Sequence, residues 1–107
     1  MLDLLFTIYL RNVSYDPTVQ AKVCQFAETR LDQIQTDFSH KGLHSTPKPL
    51  TGIWYENLAK NFKSEKKVYR AWRKSKPHNK ILNSDMTYAC LVSENKHWVL
   101  IGFKPLK

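Results

Sequence analysis

The chain has 107 residues, of which 42% are hydrophobic and 24% charged, and its formal net charge is +8. That length holds one core and excludes two independently folding units, so residues 1–107 read as a single domain. The ordinary apolar content excludes wholesale disorder, while the positive balance favours anionic neighbours without choosing among nucleic acid, acidic polysaccharide and membrane surface.

In chain order, Leu2, Leu5, Phe6 and Tyr9 share one helical stripe and predict a short buried helix over residues 2–10. That segment lacks the basic n-region and small-residue cleavage site of a secretory signal, and no window of the sequence approaches the roughly 20 apolar residues of a membrane span. Residues 12–15 read as a turn. Asp16-Pro17 then predicts a helix start, because an aspartate can accept from the free amides of the first turn and a proline at the first helical position loses no donor.

Val19, Val23, Phe26, Ala27, Leu31, Ile34 and Phe38 recur at intervals of three and four, so one apolar stripe runs from Pro17 to about Asp37, with Arg30 at its edge. Residues 39–51 contain Gly42, Pro47 and Pro49 and no sustained period, which predicts a surface loop. Residues 52–59 are ordered but fit neither period cleanly. Ser64-Glu65 opens a further helix, with Val68, Ala71 and Trp72 on its inner face, which Pro77 must end or redirect. A turn of helix over residues 78–82 follows. Residues 86–93 and 97–103 are β-rich runs joined by Glu94-Asn95-Lys96, a hairpin. Helices followed by a C-terminal hairpin predict an α+β fold with a small antiparallel sheet.

Four histidines (His40, His44, His78 and His97) and the carboxylate of Glu56, set in Trp54-Tyr-Glu-Asn-Leu58, are the groups that could carry chemistry. Imidazole and carboxylate are common metal ligands and the usual acid–base pair at neutral pH. No His-Glu-x-x-His or Cys-x-x-Cys spacing and no Gly-x-Ser-x-Gly elbow is present, so neither a metal site nor a nucleophile follows from spacing alone. Glu56 could equally pair with the lysine-rich segment between residues 60 and 80. That segment is either a solvated helix face or an anion-binding patch. No helix-turn-helix, RNP or zinc-finger pattern accompanies it, which argues against nucleic acid as the partner. Cys24 and Cys90 permit one disulfide or two reduced thiols.

Several segments, in order, resemble the CAP superfamily (cysteine-rich secretory proteins, antigen 5 and pathogenesis-related-1), and its compact bacterial branch above all. Tyr15-Asp16-Pro17 with Val19, Ala21, Cys24, Ala27 and Leu31 is similar to the first long helix of that family, and Phe38-Ser39-His40 to the motif that closes it. Tyr55-Glu56-Asn57-Leu58-Ala59 resembles the Gly-Glu-Asn-Leu-Ala motif, with tyrosine for glycine. Ala71-Trp72 through Ser75, His78, Ile81, Leu82 and Asn83 resembles the bacterial Ala-Trp-x-x-Ser-Pro-Gly-His-x-x-Ile-Leu-Asn. Lys96-His97-Trp98-Val99 resembles the motif of the final strand.

The resemblance implies a three-layer α-β-α sandwich whose cleft carries two histidines and two glutamates, able in some members to bind a divalent metal such as zinc. By position Glu56 is the first glutamate, His97 the second histidine, and His40 the first, with His44 competing; His40 and His97 would be the metal ligands. Ser75 stands where a second glutamate is expected and His78 could supply another imidazole. Tyr55, Asn57, Trp72, Ser75 and Trp98 are the expected ligand-binding neighbours. The implied function is a secreted or envelope-located binding module for a lipid-like or cell-envelope ligand, or for another protein, with binding preferred over turnover. The alternatives are a metal-assisted hydrolase using Glu56 as base and a basic module for anionic polymers.

Overall fold

A computed structural model describes residues 15–106. Four helices and three strands follow in the order α1 (Pro17–Ile34), α2 (Lys41–Ser45), β1 (Gly52–Lys60), α3 (Glu65–Lys74), α4 (Lys76–Leu82), β2 (Tyr88–Glu94) and β3 (His97–Pro105). The sheet is antiparallel with order β1-β3-β2. The expected α+β architecture is present, as three layers. The expectations for residues 2–10 and for most of the turn at 12–15 lie outside the described residues.

The helix starts form as their residues dictate. Asp16 caps α1 by accepting from the Thr18 amide (2.9 Å), with Pro17 in the first turn. Ser64 caps α3 by accepting from the Lys67 amide (3.3 Å). Pro77 falls in the first turn of α4, so it redirects the chain instead of ending helical structure. The 39–51 segment is not wholly irregular: it contains the short helix α2, anchored by one buried residue, Leu43. A single apolar anchor generates no period, which is why the pattern read as loop.

Residues 52–60 are a strand. Its neighbouring residues point to opposite faces and both faces are covered, so neither an alternating nor a helical pattern shows. On one face Trp54, Leu58, Val99, Ile101 and Phe103 pack against Val23, Phe26, Ala27 and Leu31 of α1. On the other, Ala59, Ala89, Leu91, Trp98 and Leu100 pack against Val68 and Trp72 of α3 and Leu82 of α4. Asn95 and Lys96 both take positive φ (53° and 60°), so the β2–β3 hairpin is closed by the two-residue turn whose twist matches that of the strands.

Cys24 of α1 and Cys90 of β2 form a disulfide across a sequence separation of 66, with Cα atoms 5.3 Å apart. It fastens the first layer to an edge strand of the sheet. Closing so long a loop restricts the unfolded chain, so Cys24→Ala/Cys90→Ala should lose about 2–5 kcal/mol of stability. Urea unfolding of that variant, and of the wild type with and without reductant, measures the loss.

Candidate functional site

Glu56 is where β1 meets the α1 layer. Its side chain has no solvent exposure, and a carboxylate placed there must be paired. The partner is Arg30, itself 1% exposed. Arg30 Nε donates to Glu56 Oε2 at 2.6 Å and Nη2 to Oε1 at 2.9 Å, the two-pronged geometry in which a guanidinium is strongest. The same guanidinium donates from Nη2 to the Ser39 carbonyl (2.7 Å) and from Nη1 to Gln33 Oε1 (2.6 Å), while Gln33 Nε2 donates to Thr46 Oγ1 (2.9 Å). Arg30 therefore fastens the strand to both ends of the segment that holds α2. Gly42 makes room for it, since a Cβ there would collide with Arg30 Nη1.

His40, on that segment, donates from Nδ1 to Glu56 Oε1 at 2.8 Å. A carboxylate only accepts, so this contact fixes the proton on Nδ1 and leaves Nε2 on the open side of a side chain that is 53% exposed. His44 is exposed on α2, so of the two candidates His40 is the one brought to Glu56. Asn57, next on β1, points to the opposite layer and donates from Nδ2 to the His78 carbonyl (3.1 Å). His78 Nδ1 shares a hydrogen bond with Ser75 Oγ (2.9 Å). Burial first, and then the charge of His40, lower the pKa of His78. Adjacent residues of one strand thus bond two histidines from opposite sides of the sheet, Glu56 the ring of His40 and Asn57 the backbone of His78.

Between these layers lies a cleft of about 360 Å3. Its floor is Leu58, Ala59 and Lys60, its walls are Phe38 on one side and Ala71 and Trp72 on the other, and Ser75 and His78 close one end. Trp72 Nε1 donates to the Leu58 carbonyl (3.0 Å), which means that the Leu58 backbone faces away from β3. The cleft consequently runs along the free edge of β1.

Other expected residues stand elsewhere. His97 pairs with Lys60 in the β1–β3 register, whereas Glu56 pairs with Ile101, a separation of four residues or about 13 Å along the strand. The His97 imidazole donates to the Asn95 carbonyl (2.8 Å) and meets the Phe38 ring edge-on at 6.3 Å, so it sits beyond the far rim of the cleft. Tyr55 donates to Asp85 (2.8 Å), away from the cleft, and Trp98 is a buried core residue donating to the Phe62 carbonyl (2.9 Å). Glu56 pairs with Arg30, not with the lysine-rich helix. Among the expected residues, His40, Glu56, Asn57, Trp72, Ser75 and His78 are brought together. Arg30, Phe38 and Phe62 are additions. An arginine within an apolar stripe was the signal for the first, because a guanidinium in a core requires a carboxylate.

The donor set implied for a divalent metal does not fit this arrangement. Both oxygens of Glu56 are engaged, His40 and His97 stand at different ends, and among the described residues no group of three or more His, Cys, Asp or Glu side chains is placed to hold an ion. His78 is the one imidazole among the described residues that lines the cleft. Comparison with protein-family models, with curated proteins and with solved structures yields no match to this chain.

Two predictions follow from this geometry. Arg30→Ala strands a buried carboxylate and should cost about 3–5 kcal/mol, while Arg30→Met/Glu56→Leu, which removes both charges, should be the more stable of the two in urea unfolding. His78 releases its proton more readily in the folded chain than at the unfolded value of 6.5, so the unfolded state binds more protons below that value. Its contribution to stability is intact above 6.5 and falls as pH drops through the lower folded pKa. In thermal melts from about pH 7.5 to about pH 5, wild type should lose more stability than His78→Asn.

Proposed function

We propose that this chain is a CAP-type binding domain that works outside the cytoplasm and holds an amphipathic, lipid-like or cell-envelope ligand in the cleft along β1. The observation that carries the reading is the composition of that cleft: a mainly apolar floor and walls from Phe38, Leu58, Ala59 and Trp72, with polar groups at Ser75 and His78 and the Lys60 ammonium over the Phe38 ring. Ligand pockets combine those features, an apolar body with a few polar groups that fix orientation. A volume of about 360 Å3 lies at the small end of such pockets, which suits one acyl chain or a similar slender group.

The sequence motifs support the family reading, and the order of the elements is compatible with it. The Cys24–Cys90 disulfide agrees with an oxidising compartment. Among the described residues no helix is long and apolar enough to cross a membrane.

Binding is preferred over turnover because the buried carboxylate is committed to structural partners and shut off from water. Glu56 accepts three hydrogen bonds from Arg30 and His40 and reaches no solvent, so a water cannot approach it to give up a proton. Its role in this reading is to orient His40, whose Nε2 is then presented to the polar part of a ligand.

The test is uptake of palmitate and of a lysophospholipid by delipidated protein, read by native mass spectrometry and calorimetry. Phe38 is 38% exposed, so Phe38→Ser should leave the fold intact while weakening uptake by about tenfold, the consequence of losing most of one aromatic contact. Ala71→Trp, which fills the cleft, should abolish it. Uptake unaffected by both substitutions removes the cleft as the site.

A further inference from the structure

The charge of this chain is concentrated in one place. Residues 60–80 contain nine lysines and arginines against a single acid, Glu65, an excess equal to the net +8 of the whole protein, so the rest of the sequence is neutral in sum. In the structure that excess lies on the outside of α3 and α4. Lys63, Lys66, Lys67, Arg70, Arg73 and Lys74 are all exposed, as are Lys76 and Lys80. Among the described residues none of these eight makes an ion pair.

The arrangement on α3 is ordered. At 100° per residue, Lys66, Lys67, Arg70, Arg73 and Lys74 fall within an arc of about 120°, centred opposite the buried Val68 and Trp72. Within that arc Arg70 stands three or four residues from each of the other four, and like charges at those spacings repel one another and destabilise a helix. No acid lies in the arc to offset the repulsion, and Glu65 sits at the start of the helix on its inner side. A solvated face requires no such segregation, whereas a surface for a polyanion does.

We infer that the outer face of α3, extended by Lys63, Lys76 and Lys80, is a binding surface for a linear anionic polysaccharide, distinct from the cleft and independent of what the cleft holds. Its ten residues span about 15 Å, enough to meet several successive charges of an extended polymer. An anionic bilayer is a poorer fit. The apolar side of α3 is already committed to the core, and none of the exposed large apolar residues among those described (Tyr15, Phe38, Ile53 and Leu106) belongs to α3 or α4, so this face offers nothing to insert. Nucleic acid is a poorer fit as well. The aromatic nearest the cationic arc, Tyr69, is half-buried with Arg73 over its ring, so it offers little face for a base to stack on, and the disulfide agrees with an oxidising compartment, where envelope and matrix polysaccharides are the usual polyanions.

The experiment is calorimetry of the whole chain with low-molecular-weight heparin over a range of salt. A double-stranded DNA oligomer and phosphatidylglycerol-containing vesicles serve as competing probes at equal ionic strength. Lys66→Glu/Arg70→Glu/Lys74→Glu should weaken heparin binding by at least about tenfold and flatten its salt dependence, while Lys22→Glu/Lys41→Glu/Lys96→Glu, with the same change in net charge elsewhere, should weaken it far less. The matching glutamine variant of the α3 triple, which relieves the repulsion, should also bind more weakly than wild type, though less so than the glutamate triple, with an unchanged or raised melting temperature, and so separates loss of binding from loss of fold. Equal weakening by the two glutamate triples, no salt-dependent binding by the wild type, or tighter binding of DNA or vesicles than of heparin would each overturn the inference.

Discussion

The buried pair of Arg30 and Glu56 is the contact on which the arrangement of the site depends. Two charges removed from water are stable only when each hydrogen-bonding position is met, and here one guanidinium meets a carboxylate, a backbone carbonyl and a side-chain amide at once. Those four bonds fix α1, the segment bearing His40 and strand β1 relative to one another. Hydrophobic packing on the two faces of the sheet sets the layers but tolerates sliding, whereas a paired guanidinium and carboxylate accept only a narrow range of positions. The site geometry is therefore inherited from the core.

This dependence also sets the character of the chemistry. A glutamate in a cleft is ordinarily read as an acid or a base, but Glu56 is spent on structure and passes its influence on through the orientation of His40. His78 is held from the other layer through Asn57 and Ser75. The two imidazoles have unlike surroundings: His40 is backed by a carboxylate and half exposed, whereas His78, which lines the polar end of the cleft, is more enclosed and less ready to hold a proton.

Much of the fold was legible in the sequence because its signals are local. Asp16-Pro17, Ser64-Glu65 and the run from Met86 to Phe103 each carry their structural meaning within a few residues. Strand β1 was harder, since a strand covered on both faces has no alternation to show, and α2 has one anchor and no period. At the site, His40 and Glu56 lie in contact, whereas His97 is not joined to them. Its place depends on the β1–β3 register, and a register is a pairing between distant segments that neither strand discloses alone. Arg30 was visible as a polar residue beside an apolar stripe, yet its partner lies 26 positions away on another element.

The free edge of β1 has a consequence of a different kind. An unpaired strand edge offers amides and carbonyls to any extended chain it meets, and proteins that leave one bare tend to assemble into fibres or swap strands. Here the Leu58 carbonyl is already occupied by the Trp72 indole, and the helix that supplies that indole carries a dense row of positive charge on its outer side. A second copy approaching this edge would meet the same charge on itself. The lysines and arginines of α3 thereby set like charge beside the very edge at which a second copy would have to pair.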